Sequence, residues 1–430
     1  MPPMSFQLLA RNFDPMQASI ELSDQWKNPS DVFSVLLILG GDIVARALAQ
    51  VSGSRLTPVA FSFGWVAYAV TAVVSAVGEN KLMPPPDCPC KVINTKSGYL
   101  RDNTSWIISR IVRDYEYWMD GGKPSGPIRK HLEKMIDDRW THDKLKSPGL
   151  LRPTQAGLCV SVYTAEKANP GYPGYDHIYF AGMFTAVMQL GLAAIPCGIF
   201  GDWGIITVTA AGIILSMITG GLGQWQREKW ACRQGSKKTV ILTKGNGSQH
   251  AIMIIGNGEG LDLEDLATGQ SSINVSTSIF TRVMVIALAL FWILLLITAA
   301  ALTRNTWFLL AIGGIGMLQN ILTAGARRTP EDYGVSLKYK EVIGHPKVME
   351  TLFQVERKYP RVGRSMRDTF FPGQLLSEER DEWNELAKKA DALDNASKKK
   401  PTEERGEDKH KGDSSNLATR AFIPNQYSER

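Results

Sequence analysis

Asp42 stands inside VFSVLLILGGDIVARALA, an apolar stretch whose other charge is Arg46. A carboxylic acid held in a water-poor site is what an enzyme needs to protonate an olefin or epoxide. A charge at membrane depth costs about 2.5–3.5 kcal/mol on insertion scales unless it is paired or protonated. Arg46 follows four residues later on the same helical face, so an ion pair that lets a marginal helix insert is the competing reading. Asp137-Asp138 invites comparison with DDxxD, in which carboxylates hold magnesium against a diphosphate, but Thr141 stands at the fifth position. A solvated helix face explains those acids. Cys88-Pro-Cys90 has one residue between its thiols, too few for a zinc knuckle or a redox CxxC. No metal or cofactor site is expected.

The remaining candidates are Cys159 and His250. Ser-Gln-His-Ala-Ile-Met-Ile-Ile-Gly-Asn-Gly around His250 resembles the histidine strand of papain-like cysteine peptidases, and Gln155-Ala-Gly-Leu-Cys159 resembles their glutamine-to-cysteine segment. The resemblance implies Cys159 as thiolate nucleophile, His250 as its base and Gln155 as oxyanion donor, with Asp262, Asp265 or Asn274 orienting the imidazole. The glutamine-to-cysteine spacing departs from that pattern, Val160 replaces the usual tryptophan, and two apolar spans separate the halves. A strand of apolar residues that begins with a histidine accounts for the same residues. On that reading Cys159 and His250 lie beyond contact.

These residues are positioned by long apolar segments. About 20 mostly apolar residues cross a bilayer core, and Pro58–Gly78, Ile178–Phe200, Gly204–Leu222, Val283–Thr303 and Trp307–Gly325 qualify. Val32–Ala49 is a sixth, marginal because of Asp42 and Arg46. The short connections Gln50–Thr57, Gly201–Trp203 and Arg304–Thr306 carry only Arg55 and Arg304 as basic residues, whereas the long ones hold nearly all the rest. The positive-inside rule therefore puts both termini and both long loops in the cytoplasm. Asn103, Asn246 and Asn274 begin glycosylation triplets on that side, where none is used. Glycines recur in the spans and suit close helix packing. Gln189, Gln319 and Asn320 are their only amide side chains.

The expected fold is an all-α polytopic membrane protein of about six transmembrane helices in three hairpins, with small cytoplasmic α/β loops. Its parts are a cytoplasmic segment at 1–31, hairpins at 32–78, 178–222 and 283–325, a loop domain at 79–177, and a loop with a β-hairpin at 223–282. A helical region at 326–385 and a disordered, charged tail at 386–430 follow. Residues 1–31 are mixed and polar and do not read as a cleavable signal. TSWIISRIVRDYEYWM has an apolar face and tryptophans, suited either to the membrane interface or to packing on its own loop. Five cysteines without regular spacing fit a reducing compartment, and a net charge of +6 gives no ground for nucleic-acid binding.

TPVAFSFGWVAYAV, LMPPPDCPC and GNGSQHAIMIIGNGEGLDLEDLA resemble a largely uncharacterised group of multi-spanning membrane proteins of filamentous fungi. The resemblance implies little chemistry by itself. By analogy with fungal membrane proteins that work beside polyketide or terpenoid enzymes, it implies action on, or assistance with, a lipophilic intermediate of specialised metabolism. Asp42 would be the acid of such an enzyme. A transporter and a non-catalytic scaffold are the alternatives. Expected partners are membrane lipids, a lipophilic small molecule and cytoplasmic proteins, in a membrane that is either the endoplasmic reticulum or the plasma membrane.

Overall fold

The computed structural model describes residues 40–146, 149–155, 157–269 and 275–399. Two compact units divide the chain, 1–373 and 374–430. In chain order the first unit opens with α1 (Gly41–Val51) and α2 (Gly64–Val74), the latter extended by a π-helical turn over Ser75–Glu79. Then come β1 (Lys91–Asn94), β2 (Leu100–Asp102), α3 (Trp106–Arg113), α4 (Tyr115–Trp118), α5 (Pro127–Lys146) and β3 (Leu158–Ala165). A helical pair follows, α6 (His177–Phe200) and α7 (Trp203–Gly220), then α8 (Gly223–Lys229), β4 (Gln234–Ser236), β5 (Val240–Thr243), β6 (His250–Ile255), β7 (Gly260–Leu261) and α9 (Leu263–Thr268). A second pair, α10 (Ile279–Ala300) and α11 (Thr306–Gly325), precedes β8 (Leu337–His345), α12 (Val348–Lys358) and α13 (Val362–Phe370). The second unit contributes α14 (Ser377–Lys399).

Four of these helices, α6, α7, α10 and α11, are long and apolar enough to cross a membrane, with mean hydropathies of 1.8, 1.7, 2.8 and 1.5. Their side chains are largely unburied within the molecule, as a lipid-facing surface requires. Each pair turns tightly. Asp202 caps α7 by accepting from Gly204 N, and Gly201 closes α6 in the left-handed conformation that a glycine adopts without strain.

The expected first hairpin is built differently. Residues 32–39 lie outside the described residues, and the described part of that span is α1, which begins at Gly41 and runs two residues past Ala49. Pro58–Gly78 is not one helix. Its first six residues are non-helical and helix begins only at Gly64, so Gly64–Glu79 spans about 24 Å, short of a hydrocarbon core. Gly53, in the connection placed on the far side with the other short turns, packs on Gly171, Pro173 and Trp230 at the end of the bundle that carries the sheet. That places α1 and α2 in an arrangement other than a hairpin with a far-side turn.

The loops are not separate either. Strands from all of them form one six-stranded sheet in the order β2-β1-β5-β6-β3-β8, antiparallel except for β3 beside β6. The all-α description therefore fits the bundle and not the chain. The β-hairpin expected within 223–282 is present as β5–β6. Residues 104–119 settle on the second of their two readings. They form α3 and α4; Ile107, Ile108, Ile111, Val112, Tyr115 and Trp118 enter the core under the sheet, and Trp106 enters the core of the bundle. Order also continues past Leu386, because α14 reaches Lys399. The expected disorder of 400–430, and the 1–31 segment, lie outside the described residues.

Candidate functional site

Three places concentrate polar groups where burial makes them costly: the middle of the bundle, its junction with the sheet, and the loop that enters β6.

In the bundle, residues 57–63 run extended between the spans, and backbone polar groups there need partners because lipid offers none. Asn320 of α11 supplies both kinds, its Oδ1 accepting from Ala60 N at 3.1 Å and its Nδ2 donating to Ala60 O at 2.9 Å. Gln189 Nε2 of α6 donates to Phe61 O at 2.7 Å and to Ile312 O at 2.9 Å. Trp65 Nε1 donates to Ala60 O, and Thr57 Oγ1 to Gly220 O. Gln189 lies about 18 Å along α6 from His177, so the segment descends to mid-bundle. Glycines make the room. A Cβ on Gly316 would lie 1.7 Å from Phe61 O, and one on Gly182 2.1 Å from Pro58 O. The chain then reverses into α2, and Gly64 touches Gly40 at the mouth of α1. This is a re-entrant segment, tolerated because protein surrounds it.

At the junction, the ends of α1 and α11 present carbonyls that buried cations satisfy. Arg328 is 1% exposed, pairs with Asp176 at 2.7 Å and donates to Gln50 O and Pro173 O, both at 3.0 Å. Lys229 Nζ donates to Gln50 O at 3.1 Å and Ser52 O at 2.8 Å, and its ammonium sits 4.9 Å from the Trp230 ring. Burial, with Arg328 and Arg110 nearby, pushes the Lys229 amine well below its usual range. Arg110, fully buried, pairs with Asp87 at 3.2 Å and donates to Ala324 O at 2.8 Å, while Arg113 donates to Ala326 O at 3.0 Å. Cations at these carbonyls also oppose the negative end of α11. Trp225 and Trp230 are buried here as well. These buried ion pairs and hydrogen bonds join the bundle to the sheet.

The sequence candidates can now be placed. Asp42 pairs with Arg46 at 3.1 Å, and its side chain is 75% exposed. Its carboxyl therefore lies at the surface of the described residues rather than in an enclosed apolar site. Cys159 and His250 do come together, contrary to the expectation that they lie beyond contact. They are register partners on parallel β3 and β6, and Cys159 N donates to Gln249 O at 2.8 Å. In-register neighbours face the same way, here toward α3–α5, where Tyr115 donates to Ser161 Oγ at 2.6 Å and packs 5.0 Å from the His250 ring. Cys159 is wholly buried in a strand, and burial pushes its thiol up to about 12. A thiol kept protonated and out of reach is no nucleophile. Burial also pushes the imidazole of His250 down. Asp262 and Asp265 are taken by Lys238 and Arg233, and Gln155 lies in an open pocket rather than over Cys159.

That pocket, about 620 Å³, is lined by His142, Gln155, Asn246, Gln249, His345 and Lys347 among others. A second of about 640 Å³ lies across the 246–250 loop, beside Glu116, Arg129, Lys130 and His250. Gln249 lines both. Its buried Nε2 has no hydrogen-bond partner, and neither has His250 Nδ1. Lys244-Gly-Asn-Gly-Ser-Gln249 is rich in turn formers and so legible as a loop; the pockets need α5 and β8 brought beside it. Among the described residues no group of three His, Cys, Asp or Glu is placed to hold a metal ion. No protein-family model, curated protein or solved structure matches the chain.

Proposed function

We propose that this is a multi-pass membrane protein whose bundle anchors a cytoplasmic α/β domain, and that the domain's 246–250 loop binds a small polar ligand. One observation carries the reading: two side chains on that loop, Gln249 and His250, keep buried polar atoms without partners beside open pockets of about 620 and 640 Å³. Buried polar atoms are ordinarily satisfied; these two are closed off in this conformation, and a small shift of the loop would present them to a ligand's oxygens or nitrogens. The cytoplasmic placement rests on charge, since Arg304 is the one basic residue in the turns 201–202 and 301–305. Transport draws less support, because the re-entrant segment fills the middle of the bundle. Action on a lipophilic intermediate also draws less, because the exposed Asp42–Arg46 pair supplies no acid in a dry site.

Cells lacking the protein, profiled for metabolites and complemented with variants, test the reading. Asn246→Trp, an exposed substitution that fills the first pocket, and Gln249→Leu should reach the membrane at wild-type levels and yet fail to restore the wild-type profile. Full restoration by both would remove the loop from the protein's work.

A further inference from the structure

A third pocket, of about 370 Å³, lies away from that loop. Trp118, Tyr163 and Tyr339 line it, with Asp120, Glu331 and Lys123 among its other walls. The rings are consecutive neighbours: centroids of Trp118 and Tyr163 are 5.3 Å apart, and those of Tyr163 and Tyr339 5.9 Å. Tyr163 is 3% exposed, with its ring at the pocket wall and its hydroxyl beside that of Tyr115. Asp120 is held in a left-handed conformation (φ 62°) while its carboxylate accepts from Ile128 N at 2.8 Å and Arg129 N at 3.0 Å, fixing it at this wall. Two carboxylates stand against one ammonium, so the lining is net acidic.

We propose that this pocket binds a quaternary ammonium group. Aromatic rings attract a cation through the negative potential of their faces, and an alkylated ammonium gains most because it asks for no hydrogen-bond acceptors when it leaves water. A bare metal ion or a primary ammonium would need a shell of oxygens, whereas three rings and flanking carboxylates suit a bulky, weakly hydrated cation. Thr329, Pro330 and Glu331 form one wall only a few residues beyond Gly325, where α11 ends. The site therefore lies within reach of the headgroup layer, and a choline lipid or a free quaternary amine presents the same group. The inference does not rest on the ligand loop proposed above.

The test uses full-length protein in a choline-free detergent, titrated calorimetrically with choline, and protein in nanodiscs of phosphatidylcholine or phosphatidylglycerol, followed by thermal unfolding. Saturable choline binding, weakened about tenfold by Tyr339→Ala and about threefold by Glu331→Gln, is expected, equivalent to losses of about 1.4 and 0.7 kcal/mol. Both substituted side chains are exposed enough for the variants to fold, which their unliganded unfolding temperatures verify. Stabilisation in phosphatidylcholine over phosphatidylglycerol that vanishes in Tyr339→Ala identifies a lipid source, and choline binding without it identifies a soluble one. No choline response up to about 10 mM together with no lipid preference overturns the proposal. So does any response that both variants retain in full.

Discussion

At the scale of single residues, the fold spends its buried polar groups on backbone. Asn320 and Gln189 are visible in the sequence as odd polar side chains in apolar helices, a pattern that equally suits a transport path. Their role became legible only when Ala60 and Phe61 were seen opposite them, 260 and 128 residues away in the chain. Arg110 and Arg328 were hidden in another way. Charge counting treats them as loop charges that report orientation, whereas they are buried links between two halves of the molecule. His250 gives a test by pH. Its folded imidazole titrates below the ordinary 6.5 because burial disfavours the cation; Lys244 acts in the same direction and Glu116 against it, with Tyr115 the aromatic neighbour. The unfolded chain then binds the extra proton first, so the contribution is complete above about pH 6.5 and is lost as pH falls toward the folded value. Thermal unfolding should show stability falling on acidification by no more than about 1.4 kcal/mol per pH unit from this group. His250→Leu should flatten that part of the profile. An unchanged slope would mean that the ring is solvated.

At the scale of elements, four spans were legible because a long apolar run has one cheap solution in lipid. The failure at Pro58–Gly78 has the same root. Hydropathy counts apolar side chains and is blind to backbone, so an extended stretch sheathed by glycines and amides reads like a helix. Gly313, Gly314 and Gly316 were alike in sequence but are not alike in place. Gly313 meets the Phe63 ring, Gly316 meets Phe61 O, and a Cβ on Gly314 meets nothing within 4 Å. Gly316→Ala should therefore destabilise by about 1–3 kcal/mol or more, since backbone cannot yield as a side chain can. Gly314→Ala should be close to neutral. The comparison is made by thermal unfolding in detergent, and equal behaviour of the two variants would remove the re-entrant segment. The sheet shows the opposite balance. Strands β5 and β6 were readable from local alternation and a turn, but their assembly with β1, β3 and β8 depends on pairings over tens to hundreds of residues, which no local pattern encodes.

At the scale of the whole molecule, the arrangement sets which turns share a side. The 52–56 connection lies with the sheet, and the 201–202 and 301–305 turns lie at the other ends of the spans. In intact cells, an impermeant thiol reagent should label Trp203→Cys and Asn305→Cys but leave Arg55→Cys untouched until the membrane is opened. Labelling of Arg55→Cys together with the other two would restore a first hairpin with its turn outside. The sheet has a further consequence, for biosynthesis. Strand β3 pairs with β6 beyond the first pair of spans and with β8 beyond the second. At ordinary translation rates β3 leaves the ribosome roughly 10–35 s before β8 does, and in that interval it offers an open edge. That edge can be closed only if both pairs have been threaded so that their flanking strands return to one compartment. An inverted pair would strand β6 or β8 on the wrong side and leave the sheet unfinished. On the proposed topology, completion of the sheet would record correct insertion, and an unpaired β3 would mark a misthreaded chain.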